Sequence, residues 1–347
     1  MVEFGGWVLP VQYEGVLAEH AACREAAVVF DTSHMGQFVI TGPRAAEELA
    51  AVCTQDAASL RVGRCRYGFL LNKQGGVIDD TILMRLGDER LLLVVNAGTV
   101  GVDFAWLGEH LDAAELVNRS AEGWAKIDLQ GPKAFDVLAC HVEGKLREMS
   151  YFAVAERTCA GRPCVISRTG YTGELGYEIM AAGDDTATVF AALLGDERVT
   201  PAGLGARDSL RLEMGYPLYG HELTTETTPV EADAMRFVDP NREFIGAAAL
   251  RRALEAGPKR RLVAMRSQTR RRAQTDSAIL ASGDAVGAVT SAAFSPSLGV
   301  SIAMGYVRTE HAAVGKPLTI RTTRAELPVE TVDTPFYRNG TCRAKLG

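Results

Sequence analysis

The pattern of hydrophobic and polar positions predicts a three-stranded antiparallel meander between residues 67 and 96. Residues 67–71 and 91–96 are largely apolar runs, and residues 77–85 between them have the composition of a strand. Glycine-containing turns separate the three runs, at residues 72–76 and 86–90. We therefore expect residues 77–85 to form the middle strand.

Two adjacent carboxylates, Asp79 and Asp80, lie on this strand. Successive side chains of a strand point to opposite faces. The face of Asp80 carries three apolar side chains, those of Ile78, Ile82 and Met84. Asp79 is grouped with Thr81 and Arg85 on the other face, which predicts an ordinary surface carboxylate.

Two interpretations of Asp80 remain open from the pattern alone. Burial raises the pKa of a carboxyl group towards the range that suits general acid–base catalysis. Alternatively, Asp80 ends a hydrogen-bond ladder beside a turn. Asn96 ends the neighbouring strand of the meander, so we expect it close to Asp80.

The end of the chain has a different pattern. Short apolar runs with turn signals recur there at regular spacing, at residues 261–266, 277–281, 285–290, 301–307, 317–321 and 326–332. This pattern predicts an all-β barrel or jelly roll. The sequence as a whole predicts an α+β fold divided into residues 1–256 and residues 257–347.

Composition and charge argue against several classes of function. The net charge of −6 argues against a general nucleic-acid binder, and no apolar run approaches the length of a membrane span. The first residues lack the pattern of a signal peptide, and seven scattered cysteines suit reduced thiols. Cytoplasmic localisation is therefore expected. No histidine or cysteine spacing indicates a metal site.

Two further stretches could contact a ligand. Residues 169–179 contain three glycines, which permit tight turns and a close approach of the backbone to a ligand. Arg207 and Arg211 are four residues apart on a predicted helix and share a face. They could hold a carboxylate of a ligand, or they could pair with neighbouring acidic side chains.

The motifs together resemble the aminomethyltransferase family, the T-proteins of the glycine cleavage system. The resemblance runs from Phe4 to Tyr337 and rests on FGGWVLPVQY, FDTSHMGQ, GGVIDD, VVNAG, LQGP, SRTGYTGELGYEI, GLGARDSLRLEMGYPLYG, VTSAAFSPSLG and PFY. It implies a three-domain cloverleaf with antiparallel sheets around a central folate channel. In this family residues 1–256 correspond to two interleaved α+β subdomains that bind folate.

The resemblance also implies a reaction and its participants. The methylene carbon of an aminomethyl group on lipoylated H-protein passes to tetrahydrofolate, the co-substrate, without metal or pyridoxal phosphate. No nucleic acid or membrane takes part. Asp80 matches the catalytic carboxylate and Glu178 the residue that holds the pterin, while Arg207 matches the arginine that binds substrate. Further pocket positions are matched by Met35, Tyr67, Asn96 and Tyr171.

Two segments depart from the family pattern. Residues 233–236 stand where the family has a glycine-rich, tryptophan-containing turn, and residues 268–273 are also unusual. Two alternative functions share the scaffold. One is a tetrahydrofolate-dependent demethylase acting on a small methylated molecule, because pocket substitutions can change the chemistry of a fold. The other is a non-catalytic folate-binding protein of iron–sulfur assembly, whose cysteine motif is absent at residues 218–222.

Overall fold

The computed structural model describes residues 1–346. The chain forms two compact units, and each consists of separate stretches of sequence. The first unit contains residues 1–70, 79–207 and the tail from residue 340, whereas the second contains residues 71–78 and 208–339. The expected division between residues 256 and 257 stays a prediction.

Within residues 1–346 the structure has nineteen strands. In chain order they are β1 (Val2–Phe4), β2 (Trp7–Leu9), β3 (Ala27–Asp31), β4 (Gly36–Thr41), β5 (Cys65–Leu71), β6 (Val77–Gly87), β7 (Arg90–Val95), β8 (Glu115–Asn118), β9 (Trp124–Gln130), β10 (Val154–Cys159), β11 (Arg162–Ser167), β12 (Gly176–Ala182), β13 (Val199–Pro201), β14 (Arg260–Ser267), β15 (Ala278–Ala281), β16 (Asp284–Ser295), β17 (Val300–Arg308), β18 (Pro317–Arg321) and β19 (Glu326–Val332).

The same residues form seven α-helices and four short 3-10 helices. The α-helices are α1 (Val16–Glu25), α2 (Ala45–Val52), α3 (Val100–His110), α4 (Ala134–Leu138), α5 (Gly183–Leu194), α6 (Leu204–Glu213) and α7 (Ala247–Ala256). The 3-10 helices are Ala97–Thr99, Leu146–Glu148, Met235–Phe237 and Thr309–His311. None of the helices described over residues 1–346 is both long enough and apolar enough to span a membrane.

The predicted meander is present in a five-stranded sheet of order β5-β6-β7-β4-β8. Strand β6, which carries Asp79 and Asp80, lies between β5 and β7 as expected. The register of β6 with β7 pairs Ile82 with Val94 and Leu83 with Leu93. Continued by two residues, this register brings Asn96 opposite Asp80.

A second sheet, of order β10-β11-β12-β9-β3-β13, supplies the other half of the first unit's core. Met84 and Val94 of the five-stranded sheet pack with Val165 and Met180 of this six-stranded sheet. The shared apolar layer holds the two sheets against each other. Strand β12 thereby carries Glu178 towards the same interior as the meander.

The LQGP motif forms the turn that follows β9. Gly131 has φ of 136°, and a Cβ atom there would lie 2.3 Å from the carbonyl oxygen of Ala26. Only glycine fits this approach of two backbones. The turn therefore fixes β9 against the beginning of β3.

In the second unit, β14 to β19 close into a six-stranded barrel of order β14-β17-β16-β15-β18-β19. The barrel uses all six of the regularly spaced runs predicted from the sequence. Its interior is apolar and includes Met265, Ile279, Val289 and Ile320. Asp233, at the atypical segment 233–236, has φ of 54°, so this residue adopts the left-handed conformation that favours glycine.

The chain returns to the first unit at its tail. The backbone N–H of Leu175 donates to Thr341 Oγ1 at 2.9 Å, and the N–H of Thr341 donates to Glu174 Oε2 at 3.1 Å. Arg24 pairs with the other oxygen of Glu174 at 2.8 Å. The tail thus completes the hydrogen bonds of the loop that leads into β12.

Candidate active site

Asp80 is half-buried and accepts hydrogen bonds on both of its carboxylate oxygens. The Tyr67 hydroxyl donates to Oδ2 at 3.0 Å, and the Asn96 side-chain amide donates to Oδ1 at 2.9 Å. Burial raises the pKa of Asp80 to about 7, and the negative charge of Asp79 contributes in the same direction. The two hydrogen bonds oppose this rise, so the group titrates near neutral pH.

Asp79 was predicted to be a surface carboxylate, and this prediction is wrong. Its exposed fraction is 0%. The backbone N–H and the side-chain amide of Asn96 each donate to one of its oxygens at 2.9 Å. The error arose because the sheet is buried on both faces: Thr81 and Leu83, which share the face of Asp79, are also buried.

A third carboxyl group, that of Asp103 on α3, lies against Asp79. Burial, together with the negative charge of Asp79, raises the pKa of Asp103 to about 10. Asp103 is therefore neutral at physiological pH. We call Tyr67, Asp79, Asp80, Asn96 and Asp103 the carboxyl cluster.

Glu178 lies on β12 directly opposite Asp128 of β9 in the sheet register. Its side chain is 9% exposed, and Lys126 Nζ pairs with Oε1 at 2.7 Å. The Thr169 hydroxyl donates a short hydrogen bond to Oε2. The position of Glu178 is thus set by a cation on one oxygen and a hydroxyl group on the other.

Three ion pairs, beginning with that of Glu178 and Lys126, connect Glu178 to Arg207. Lys126 also pairs with Asp128 Oδ1, and Arg207 Nη1 pairs with Asp128 Oδ2 at 2.8 Å. Although burial alone would raise the pKa of Asp128, the charges of Lys126 and Arg207 hold it below its ordinary value. We call Lys126, Asp128, Glu178 and Arg207 the charge network.

Aromatic and sulfur-containing side chains border the charge network. The Arg207 guanidinium lies 5.0 Å from the ring centroid of Tyr171 and 5.7 Å from that of Phe30. The Met35 sulfur lies 3.8 Å from Lys126 Nζ. Arg207, Tyr171 and Met35, which were named separately from the sequence, therefore border one site.

Tyr67 and Tyr171 connect the two groups of residues. Burial raises the pKa of Tyr67 well above its ordinary value, with further contributions from Asp80 and then from Tyr171. Tyr171 in turn lies beneath Arg207 of the charge network. The structure thus brings all seven residues named from the sequence into two adjoining groups of the first unit.

Arg207 and Arg211 separate, although they are four residues apart on α6. Arg207 belongs to the charge network, whereas Arg211 pairs with Asp208 of the same helix at 2.8 Å and with the buried Glu222 at 3.1 Å. The alternative of pairing with acidic neighbours therefore describes Arg211. For Arg207, a ligand contact stays a prediction.

The glycines of residues 169–179 have a packing role that the sequence did not reveal. A Cβ atom at Gly170 would lie 2.0 Å from Gln130 Oε1, and one at Gly176 would lie 2.3 Å from Gln130 Nε2. The two glycines make room for the buried Gln130 side chain. This packing fixes the loop that carries Tyr171.

Sequence reasoning missed Lys126, Asp128 and Asp103. Lys126 and Asp128 alternate with apolar Ile127 and Leu129 on β9, and such alternation is typical of a strand with one solvated face. A lysine and an aspartate two residues apart were the available signal. Over residues 1–346, no group of three or more histidine, cysteine, aspartate or glutamate side chains has an arrangement that could hold a metal ion.

Comparison with known families accounts for nearly all of the chain. The GCVT N-terminal domain family matches residues 1–242, and the glycine cleavage T-protein C-terminal barrel domain family matches residues 260–338. An aminomethyltransferase of Symbiobacterium thermophilum is 43% identical, over 98% of this chain and 94% of its own length. One from Saccharopolyspora erythraea is 42% identical, over 97% and 94%.

A solved structure agrees with these matches. The crystal structure of glycine cleavage system aminomethyltransferase T from Bartonella henselae superimposes with a TM-score of 0.93 at 35% identity, covering 98% of this chain and 94% of that one. The fold is therefore that of a transferase. The chain belongs to the glycine cleavage T-protein family, the aminomethyltransferases. The predicted family, enzyme class and C-terminal barrel are confirmed.

The contacts of the adjacent carboxylates predict different effects of the same substitution on stability. In Asp79→Asn an NH2 group replaces one oxygen, so only one oxygen remains for the two N–H groups of Asn96. The other Asn96 N–H group then faces an N–H donor, which lowers the free energy of unfolding by about 1–3 kcal/mol. In Asp80→Asn the new amide can donate to Tyr67, whose hydroxyl can also accept. Denaturant unfolding of both variants should therefore show the larger loss for Asp79→Asn. A larger loss for Asp80→Asn would contradict the assigned contacts.

Proposed function

We propose that this chain transfers the methylene carbon of an aminomethyl group on the dihydrolipoyl arm of H-protein to tetrahydrofolate. The products are 5,10-methylenetetrahydrofolate, ammonia and dihydrolipoyl H-protein. The observation that carries the proposal is the half-buried Asp80 carboxyl, held by Tyr67 and Asn96 and titrating near neutral pH. A group of this kind can both exchange protons and stabilise positive charge.

The proposed reaction balances without an oxidant or reductant. Two folate nitrogens form bonds to the methylene carbon, while its bonds to the amino nitrogen and to the lipoyl sulfur break. The two protons that leave the folate nitrogens end on ammonia and on the thiol. In our proposal, Asp80 stabilises the cationic iminium character that develops at the carbon, and it orients or deprotonates the attacking nitrogen.

The acceptor capacity of Glu178 supports its assignment to the pterin. A carboxylate can accept about four hydrogen bonds. Lys126 and the Thr169 hydroxyl occupy one position on each oxygen of Glu178, so one position on each oxygen is left. The 2-amino group and the adjacent ring N–H of a pterin present two donors on one edge, which suits these two positions.

Arg207, Tyr171 and Met35 complete the proposed folate site. The guanidinium of Arg207 over the Tyr171 ring offers a cationic, flat surface to a planar or carboxylate-bearing ligand. Cytoplasmic action is also part of the proposal. It is supported by the seven cysteines, all of which are free thiols and therefore suit a reducing compartment.

A turnover assay tests the proposed function directly. Purified protein is incubated with tetrahydrofolate and with H-protein carrying the aminomethyl group, and methylenetetrahydrofolate and ammonia are measured. We expect stoichiometric products, and a loss of about two to four orders of magnitude in rate for Asp80→Asn. Product formation from a small methylated donor but not from loaded H-protein would instead support the demethylase.

The pH dependence of transfer tests the role of Asp80. The ionised form of a carboxyl group increases with pH, so the rate should rise through an inflection near the Asp80 pKa of about 7. The Tyr67 hydrogen bond lowers this pKa; in Tyr67→Phe the inflection should therefore move to higher pH. The residual rate of Asp80→Asn should lack the inflection. An unchanged inflection in Tyr67→Phe would contradict this role of the hydroxyl group.

Folate affinity tests the role of Glu178. In Glu178→Gln one acceptor atom becomes a donor that faces a pterin donor, so calorimetry should show affinity for reduced folate falling at least about tenfold, or about 1.5–3 kcal/mol. Glu156→Gln is the matched control, because the Glu156 side chain lies in the same sheet and is 54% exposed. Equal affinity of the two variants would refute the assignment.

A further inference from the structure

Lys126 and Asp128 are two opposite charges on the inner face of a buried strand. Both side chains are 0% exposed. Ile127 and Leu129, which alternate with them on β9, pack into the apolar core on the other side of the sheet. Buried charges are costly unless they are paired and hydrogen-bonded. The contacts of these two residues should therefore indicate why the strand carries them.

The Lys126 ammonium group is fully engaged by protein atoms. It donates to Asp128 Oδ1, to Glu178 Oε1 at 2.7 Å and to Thr32 Oγ1 at 3.2 Å. An ammonium group has three N–H donors, and these three oxygen acceptors, with the Met35 sulfur at 3.8 Å, leave none of them for a ligand. Lys126 is thus arranged to hold other side chains rather than to donate to a ligand.

Asp128 extends the arrangement to Arg207. One of its oxygens accepts from Lys126 and from the Thr32 hydroxyl, the latter at 3.0 Å, while the other pairs with Arg207 at 2.8 Å. Charges alternate along the series Arg207, Asp128, Lys126 and Glu178, and the sum of the four formal charges is zero. Removing one charge therefore leaves a buried neighbour without its partner.

We propose that Lys126 and Asp128 are positioning residues of the folate site, and that Lys126 holds the Glu178 carboxylate in the orientation that accepts two donors from the pterin edge. This inference rests on the proposed binding of folate by Glu178. It adds that folate binding requires Lys126 as well as Glu178, because the ammonium group holds the carboxylate that accepts from the pterin. Asp128 orients this ammonium group and the Arg207 guanidinium together.

The decisive variant is Lys126→Met, which keeps an unbranched side chain and removes the charge. Without the ammonium group, Glu178 Oε1 loses the cation that holds it at 2.7 Å. Calorimetric titration with 5-formyltetrahydrofolate, a stable reduced folate, should give a dissociation constant at least about tenfold higher than the wild type at pH 7.

Two companion variants separate this role from a purely structural one. Asp128→Asn keeps the ammonium group beside Glu178, so its dissociation constant for the same folate should rise less than that of Lys126→Met. The double variant Lys126→Met with Asp128→Asn restores the balance of buried charge and serves where the single variant does not fold. Its dissociation constant should exceed that of Asp128→Asn, with thermal melts verifying that each protein is folded.

Each outcome decides the inference. A folded Lys126→Met or double variant with wild-type affinity overturns the role of Lys126, and so does a loss of affinity in Asp128→Asn as large as that in Lys126→Met. A wild-type protein that binds no reduced folate overturns the proposed function itself. The two failures are therefore distinguished by the wild-type titration alone.

Discussion

Burial of carboxylates between two β-sheets is the physical constraint on which the site depends. The structure meets it in two ways. In the charge network, Asp128 and Glu178 lie beside the cations Lys126 and Arg207, and these two charges hold the pKa of Asp128 below its ordinary value. In the carboxyl cluster, Asp103 carries a proton, while Asn96 and Tyr67 donate neutral hydrogen bonds to the other two acids. A region of paired opposite charges thus adjoins a carboxyl group, that of Asp80, which titrates near neutral pH and is suited to exchanging protons during a reaction.

Much of the fold could be predicted from local pattern. The meander and the six strands of the barrel have clear alternation and glycine-containing turns, and they form where the sequence places them. Register and burial of individual side chains were harder to predict, because they depend on what covers each face. Asp79 shares its strand face with polar residues such as Thr81, yet it is buried, with Asp103 of α3 close to it. No local sequence pattern predicts the proximity of Asp103.

The candidate site was predictable to a similar degree. Asp80 and its neighbour Asn96 follow from strand geometry, since the β6–β7 register brings them opposite each other. Glu178 was named only through family resemblance, Arg207 was also a candidate from its helical spacing with Arg211, and their partners on β9 were not named at all. Lys126 and Asp128 escaped notice because alternating charged and apolar residues usually indicate a solvated face. In this fold the face of β9 that carries the two charges is buried instead of solvated.

The tail from residue 340 has a consequence for the time at which the site is completed. Thr341 donates to Glu174 across a separation of 167 residues. Synthesis at about 5–20 residues per second leaves an interval of about 10–30 seconds between these two residues. During this interval the loop that carries Tyr171 has Arg24 but not Thr341 as a partner for the buried Glu174. The ligand loop is therefore among the last parts of the first unit to be finished, after the whole barrel has left the ribosome.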